Sequence, residues 1–184
     1  MMPRATTQPD RRIDTARLRL RPMVEGDIDD VVAGIGDYAV SSMLARVPHP
    51  YRRSDALAFL EAAALNRDRD LTLAVTLGGK AVGGVGISGI HTEREFGYWL
   101  GRAHWGKGFA TEAGAAFLAY AFGSFGLDIV RSGVFVDNPQ SLRVQEKLGF
   151  EPVRTRFVHC LARGAKVAHT DTTLTRRRFL DLRS

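Results

Sequence analysis

Cysteine is nearly missing from the chain. Cys160 stands alone among 184 residues, which excludes an internal disulfide and any zinc site built on several cysteines. With no base near it in the sequence, Cys160 reads as a buried strand residue and not as a nucleophile. Long apolar runs are also absent. Nothing approaches the roughly 20 residues that a membrane-spanning helix needs, and the opening stretch has Pro3, Arg4, Pro9, Arg11 and Arg12 where a secretory signal would be apolar. Residues 1–14 are therefore expected to form a flexible tail ahead of one soluble, cytoplasmic domain over 15–184. Internal repeats and low-complexity linkers are lacking as well. Neither GxxxxGK[ST] nor GxGxxG occurs at the glycine-rich turn discussed below, so a Walker or Rossmann phosphate site is excluded there.

What is present has globular proportions, with 45% hydrophobic and 25% charged residues. The formal net charge is +6, and the segment from Pro152 onward accounts for it. Arg154, Arg156, Arg163, Lys166, Arg176, Arg177, Arg178 and Arg183 face only Asp171 and Asp181 there. Such an end could meet a polyanion, RNA or the ribosome included, or could be no more than solvated strand faces and a charged terminus.

Periodicity gives the elements. Leu18 and Leu20 alternate with arginines in a first strand, and Asp27 opens a short helix through Ile28, Val31, Val32 and Ile35. Ser54 is read as the N-cap of a helix burying Leu57, Leu60, Ala64 and Leu65. Alternating apolar residues on either side of Gly78-Gly79 make a hairpin. A strand through Phe96, Tyr98 and Leu100 then meets a glycine turn and an alanine-rich helix. The strand Val130–Val136 meets DNPQSLRVQEKLGF, a second strand-to-helix turn stopped by Gly149, and strands over 153–162 and 167–176 close the chain. The order β α α β β β α β α β β indicates an α+β fold with a mixed sheet.

The turn WGKGFA at 105–110 carries the strongest chemical signal. Gly106 and Gly108 let backbone amides point outward together where a helix begins, and the unpaired amides and dipole of that first turn favour an anion. Taken alone, the same GxG is equally a plain tight turn.

Together, EFGYWLGRAHWGKGFATEA at 95–113, DNPQSLRVQEKLGF at 137–150, TARLRLRP at 15–22 and the HPY loop at 49–51 resemble the GNAT superfamily of N-acetyltransferases. The branch they look most like acetylates ribosomal-protein N-termini. The resemblance implies a mostly antiparallel sheet of six to seven strands with two splayed central strands, flanked by about four helices. It implies acetyl-CoA as co-substrate, no metal, and a diphosphate held by Trp105, Gly106, Lys107, Gly108, Phe109 and Ala110. Trp105 stands where the superfamily usually has Arg or Gln, in a loop that binds mainly through main-chain amides. Pantetheine would lie along Tyr98 and Leu100 as an added strand, reached by Asn138 and Ser141.

The resemblance also implies the chemistry. Many members use a tyrosine to protonate the departing thiolate, yet none follows Asn138 here, which leaves Ser141 or water. Ser141 could equally help cap its helix, and Asn138 could begin the turn before Pro139. Glu95, with Glu93 beside it, is the candidate base, acting directly or through water if burial raises its pKa, and is otherwise a surface carboxylate. Glu112 reads as a structural first-turn carboxylate. His169 and Asp171 share one side of the last strand and either touch the acceptor or form a polar pair of their own. Tyr51 and Trp99 are candidates for an acceptor groove or for core. The implied reaction is direct acetyl transfer in a ternary complex to a peptide or protein N-terminus, by a monomer or homodimer. An aminoglycoside or polyamine acetyltransferase, and an acetyl-CoA sensor or RNA-binding module without turnover, remain the alternatives.

Overall fold

The computed structural model describes residues 11–184. Most of the expected tail lies outside them; Ile13–Asp14 form a short first strand, β1. β2 (Arg19–Arg21) follows, then a 3-10 turn at Glu25–Asp27 and helices α1 (Ile28–Ile35), α2 (Tyr38–Ser41) and α3 (Arg53–Leu65). The hairpin is β3 (Leu71–Leu77) and β4 (Lys80–Ser88), with Gly78 and Gly79 at φ 57° and 88° as such a tight turn requires. β5 (Glu95–Leu100) leads to α4 (Phe109–Phe125), and β6 (Ile129–Phe135) to α5 (Pro139–Leu148). β7 (Glu151–Cys160), β8 (Ala165–Thr175) and α6 (Arg176–Asp181) complete the chain.

The fold is α+β, and the described residues form a sheet of eight strands in the order β1-β2-β3-β4-β5-β6-β8-β7. Among the described residues six helices flank it. The sequence reading, with six to seven strands and about four helices, falls short by β1, α2 and α6, all too brief to show a period of their own. Every neighbouring pair is antiparallel except β5 and β6. Those two meet at a single register, Glu95 opposite Arg131, and then part.

Alternation on β5 sorts the two layers of core. Phe96 stacks on Phe150 at 5.6 Å and sits 6.0 Å from Phe117, within the larger cluster under α4. Trp99 points the other way, into a smaller cluster built on Ile28, Val31, Ile35 and Ala56. There its ring lies against Gly34 and Gly84, where an added Cβ would come within 3.0 and 2.7 Å of it. Helix α3 departs from its expected face. Its buried residue is Ala56, Leu60 is partly covered, and Leu57 and Leu65 are exposed. Arg52, not Ser54, takes the N-cap position. A periodic apolar pattern fixes that a helix forms but not which of several weak stripes meets the core.

Candidate active site

The parting of β5 and β6 is held by side chains. At the last point of contact the Ser132 hydroxyl donates to the Phe96 carbonyl at 2.9 Å, doing the work of a ladder hydrogen bond. Gln145, almost fully buried on α5, donates to Ser132 Oγ at 3.0 Å and to the Gly133 carbonyl at 3.1 Å. Gln145 Oε1 in turn accepts from Thr172 of β8 at 2.7 Å. A satisfied buried network of this kind specifies one arrangement, and here it sets α5 against the open edge of β5. Sequence reading missed it. The available sign was a glutamine beside Val144 and three residues before Leu148, on the helix face that must be buried.

Beyond Phe96 the gap widens into a cleft of about 300 Å³, lined on one side by Tyr98, Leu100, Gly106, Gly108, Phe109 and Ala110, and on the other by Asn138, Ser141, Val144 and Lys147. Gly106 and Gly108 have φ of 73° and 79°, the left-handed region that favours glycine. An added Cβ on Gly106 would meet nothing within 4 Å, so the corner is open. The first α4 hydrogen bond across the turn runs from the Glu112 N–H to the Gly108 carbonyl at 3.0 Å. The amides of Phe109, Ala110 and Thr111 thus precede the helical ladder and are available to a diphosphate.

The aromatic residues of the loop leave that corner clear. The Trp105 indole donates to the Leu100 carbonyl at 2.7 Å. Phe109 is buried, with the Arg17 guanidinium 4.5 Å from its ring centroid. Lys107 turns back, its ammonium donating to the Ala103 carbonyl at 2.9 Å, and does not line the cleft. Glu112 clamps the turn from behind. It accepts from Thr15 Oγ1 at 2.6 Å, from the Arg17 N–H at 2.8 Å and from Arg17 Nε at 2.7 Å. Burial alone would raise its carboxyl, but those hydrogen bonds outweigh it and hold the pKa below the ordinary 4.5.

On the far wall, Asn138 caps α5, its Oδ1 accepting from the Ser141 N–H at 3.1 Å, with Pro139 as first helical residue. Ser141 is left free of capping. Its hydroxyl lies 2.7 Å from the hydroxyl of Tyr98, which also donates to the Ser141 carbonyl at 3.1 Å. A tyrosine is therefore beside the serine after all, supplied by β5 and not by the chain following Asn138. Burial pushes its phenol up to about 12, against the opposing effect of the Ser141 hydrogen bond.

The sheet's other face holds the remaining candidates. Val40, Met43, Leu44 and Trp99 line the cleft from that side. Glu95 is there, half exposed and paired with Arg46 at 2.9 Å, and it does not share the cleft wall with Ser141. His169 packs edge-on to Phe135 at 5.5 Å and over Gly133, its Nδ1 3.1 Å from Asp171 Oδ1. Tyr51 belongs to the cluster under α1 and α3 and does not line the cleft. Cys160 is fully buried, its thiol directed at the Ser42 and Leu44 carbonyls.

The basic residues after Pro152 are not one surface. Arg154 and Arg156 hold Asp171 and Arg163 holds Asp137, whereas Arg178 binds the Gly149 carbonyl and Arg183 covers Phe179. Among the described residues no group of three or more metal-binding side chains forms and no helix is long and apolar enough to cross a membrane.

Comparison with known proteins agrees with this geometry. The Acetyltransferase (GNAT) domain matches residues 17–151. The uncharacterized N-acetyltransferase p20 of Bacillus licheniformis is 29% identical over 143 residues, covering 74% of this chain and 80% of p20. A proposed ribosomal-protein-serine acetyltransferase of Vibrio cholerae superposes with a TM-score of 0.74 at 22% identity, over 91% of this chain and 99% of its own. Spermidine N-acetyltransferase of Vibrio cholerae, solved with CoA and spermine, gives 0.76 at 22%, over 90% and 99%. With a matching domain over most of its length, a glycine cradle at the head of α4 and a cleft between parted strands, the chain belongs to the GNAT family of acetyltransferases, and acetyl-CoA is the co-substrate its cleft fits.

Proposed function

We propose that the protein transfers the acetyl group of acetyl-CoA to the α-amine of a peptide or protein N-terminus, by direct attack in a ternary complex. The observation that carries this reading is the pairing of carboxylates on the acceptor side. Glu95 is matched by Arg46, Asp137 by Arg163, and Asp171 by Arg154 and Arg156. A polyamine or aminoglycoside is recognised by unpaired negative charge, and these carboxylates are neutralised. Similarity to the V. cholerae spermidine enzyme is as close as that to the ribosomal-protein one, so fold alone does not choose between acceptors.

The proton balance favours an α-amine. Attack on the thioester needs a neutral nitrogen, and an α-amine, with a pKa of about 8, is partly neutral near pH 7 where a lysine-like amine of about 10.4 is not. Glu95, half exposed and paired with Arg46, is placed to receive one proton through water once the C–N bond has begun to form. On the cleft side the Tyr98 hydroxyl has one proton, and turning it from the Ser141 carbonyl onto Ser141 Oγ frees the Ser141 proton for the sulfur as the C–S bond breaks. The amides of 109–111 and Asn138 hold the carrier so that carbonyl and amine meet, which is the main source of rate acceleration in such a reaction.

The test is CoA release with N-terminally free peptides, lysine side-chain amines, spermidine and an aminoglycoside, with products located by mass spectrometry. Acetylation confined to α-amines is expected. Gly108→Glu should abolish both transfer and CoA binding by putting a carboxylate in the anion cradle. Faster turnover of spermidine than of any peptide would replace this reading with the polyamine one, and CoA binding without turnover of any amine would make the protein a sensor.

A further inference from the structure

The acceptor side of the sheet carries four groups of opposite charge, and three of them are balanced one to one. Arg46 pairs with Glu95, Arg131 with Glu93 and Arg163 with Asp137. The fourth is not balanced. Asp171 serves Arg154 at 3.0 Å and Arg156 at 2.7 Å, so two permanent positive charges share one carboxylate. Its remaining partner, His169, is mostly neutral at physiological pH because burial lowers its pKa despite the pull of Asp171.

The geometry of sharing matters as much as the count. Both arginines bind Asp171 through Nε, Arg154 once and Arg156 to both carboxylate oxygens. The Nη nitrogens of both guanidinium groups make no hydrogen bond to Asp171. Asp171 is only 19% exposed, whereas the arginines are 70% and 49% exposed. A covered carboxylate therefore pins two planar forks that face solvent, and a planar fork is the geometry that takes a second carboxylate through paired N–H···O bonds. Pinning also removes part of the rotamer entropy that a free surface arginine would lose on binding.

The position suits an acceptor. Arg156 lies directly across from His169, and His169 across from Phe135, so the pair stands on the strand two places beyond β6. Arg156 is also within electrostatic reach of Glu95 at the start of β5. Two strand spacings are about 10 Å, the span of about three residues of extended chain. A peptide whose amine enters the gap between β5 and β6 and whose body runs over β8 would bring its third or fourth side chain to the two arginines.

We propose that Arg154 and Arg156 form a carboxylate-binding subsite, and that the preferred acceptors are N-termini with an acidic side chain at about the third or fourth residue. This rests on the peptide reading above. The experiment compares alanine-initiated octapeptides carrying Glu, Gln or Lys at positions 3 and 4, with kcat and KM measured by CoA release on the full chain. KM is expected to be about five- to tenfold lower for the Glu peptide than for the Gln peptide, and higher again for Lys. In about 0.5 M NaCl the advantage should shrink. In Arg154→Gln/Arg156→Gln the ratio of the Glu to the Gln KM should rise to near one, while Arg154→Lys/Arg156→Lys keeps part of it. Equal KM for the three peptides in the wild-type chain overturns the subsite while leaving peptide acetylation intact. Transfer to spermidine with none to any peptide overturns the peptide reading itself, and RNA binding lost in the Gln variant together with charge-blind peptide kinetics reassigns the arginines to nucleic acid.

Discussion

At the scale of single residues the most informative contact is Tyr98 with Ser141. Two hydroxyls 2.7 Å apart share a limited supply of protons, and the Tyr98 pKa, raised to about 12, keeps the phenol a donor throughout the working range. Its role is thus to orient Ser141, whose own proton can then face the sulfur. Tyr98→Phe is expected to lower kcat about tenfold with little change in the KM for acetyl-CoA. Ser141→Ala should cost at least as much. Because the two act as one unit, the double variant should be no slower than the slower single one, and multiplied losses would separate them. Scanning downstream of Asn138 for a tyrosine could not have found this residue, since it precedes Ser141 by 43 positions. Proximity here comes from two strands parting, which no local pattern encodes. Gly106 and Gly108, by contrast, were legible at once because positive φ at a helix entrance has a residue-level signature.

Elements show a second limit. Helix α4 and the hairpin β3–β4 could be placed from glycine turns and periodicity, and Glu112 could be identified as structural, but its partners could not. They are Thr15 and Arg17, 97 and 95 residues earlier, which bind the edge of β2 to the head of α4. Glu112→Gln should lower stability by about 1–2 kcal/mol through one lost ion pair and weakened hydrogen bonds, measured by urea unfolding. The sign with pH follows from the lowered Glu112 pKa. Its contribution is complete above the ordinary value of 4.5 and disappears as pH falls through the lower folded value, so the gap between wild type and variant should close in acid. A gap that persists at pH 3 would mean the loss is steric. The same substitution should weaken CoA binding, since Arg17 also donates to the Lys107 carbonyl at 3.0 Å within the cradle loop.

For the molecule as a whole, strand order and the two-faced cleft follow from β5 and β6 pairing in parallel at one register and then separating. Sequence analysis reached the α+β class and the parted strands by resemblance, not by pattern, because nothing local distinguishes strands that stay paired from strands that part. The Ser132–Gln145–Thr172 network, which makes the difference, joins residues from β6, α5 and β8. The acceptor side follows the same rule. His169 and Asp171 could be put on one face by alternation, but that Asp171 also anchors Arg154 and Arg156 depends on the bulge between Pro152 and Arg154. This face contributes the first step of the fold's pH response. Burial lowers the His169 pKa from the ordinary 6.5, and Asp171 only partly restores it; Asp171 in turn is held below 3.8 by Arg156 and Arg154 against its own burial. For both groups stability is present above the unfolded value and is lost as pH falls through the folded one. Thermal unfolding from pH 8 to pH 3 should therefore show a plateau above 6.5, a first decline as His169 is forced to take a proton, and a steeper one below about 4.5 as Asp27, Glu112, Asp137 and Asp171 protonate. His169→Gln should remove the first decline and keep the second. If the variant instead declines between 6.5 and 5 just as the wild type does, the early loss belongs to another histidine and the His169–Asp171 pair is not what couples this face to pH.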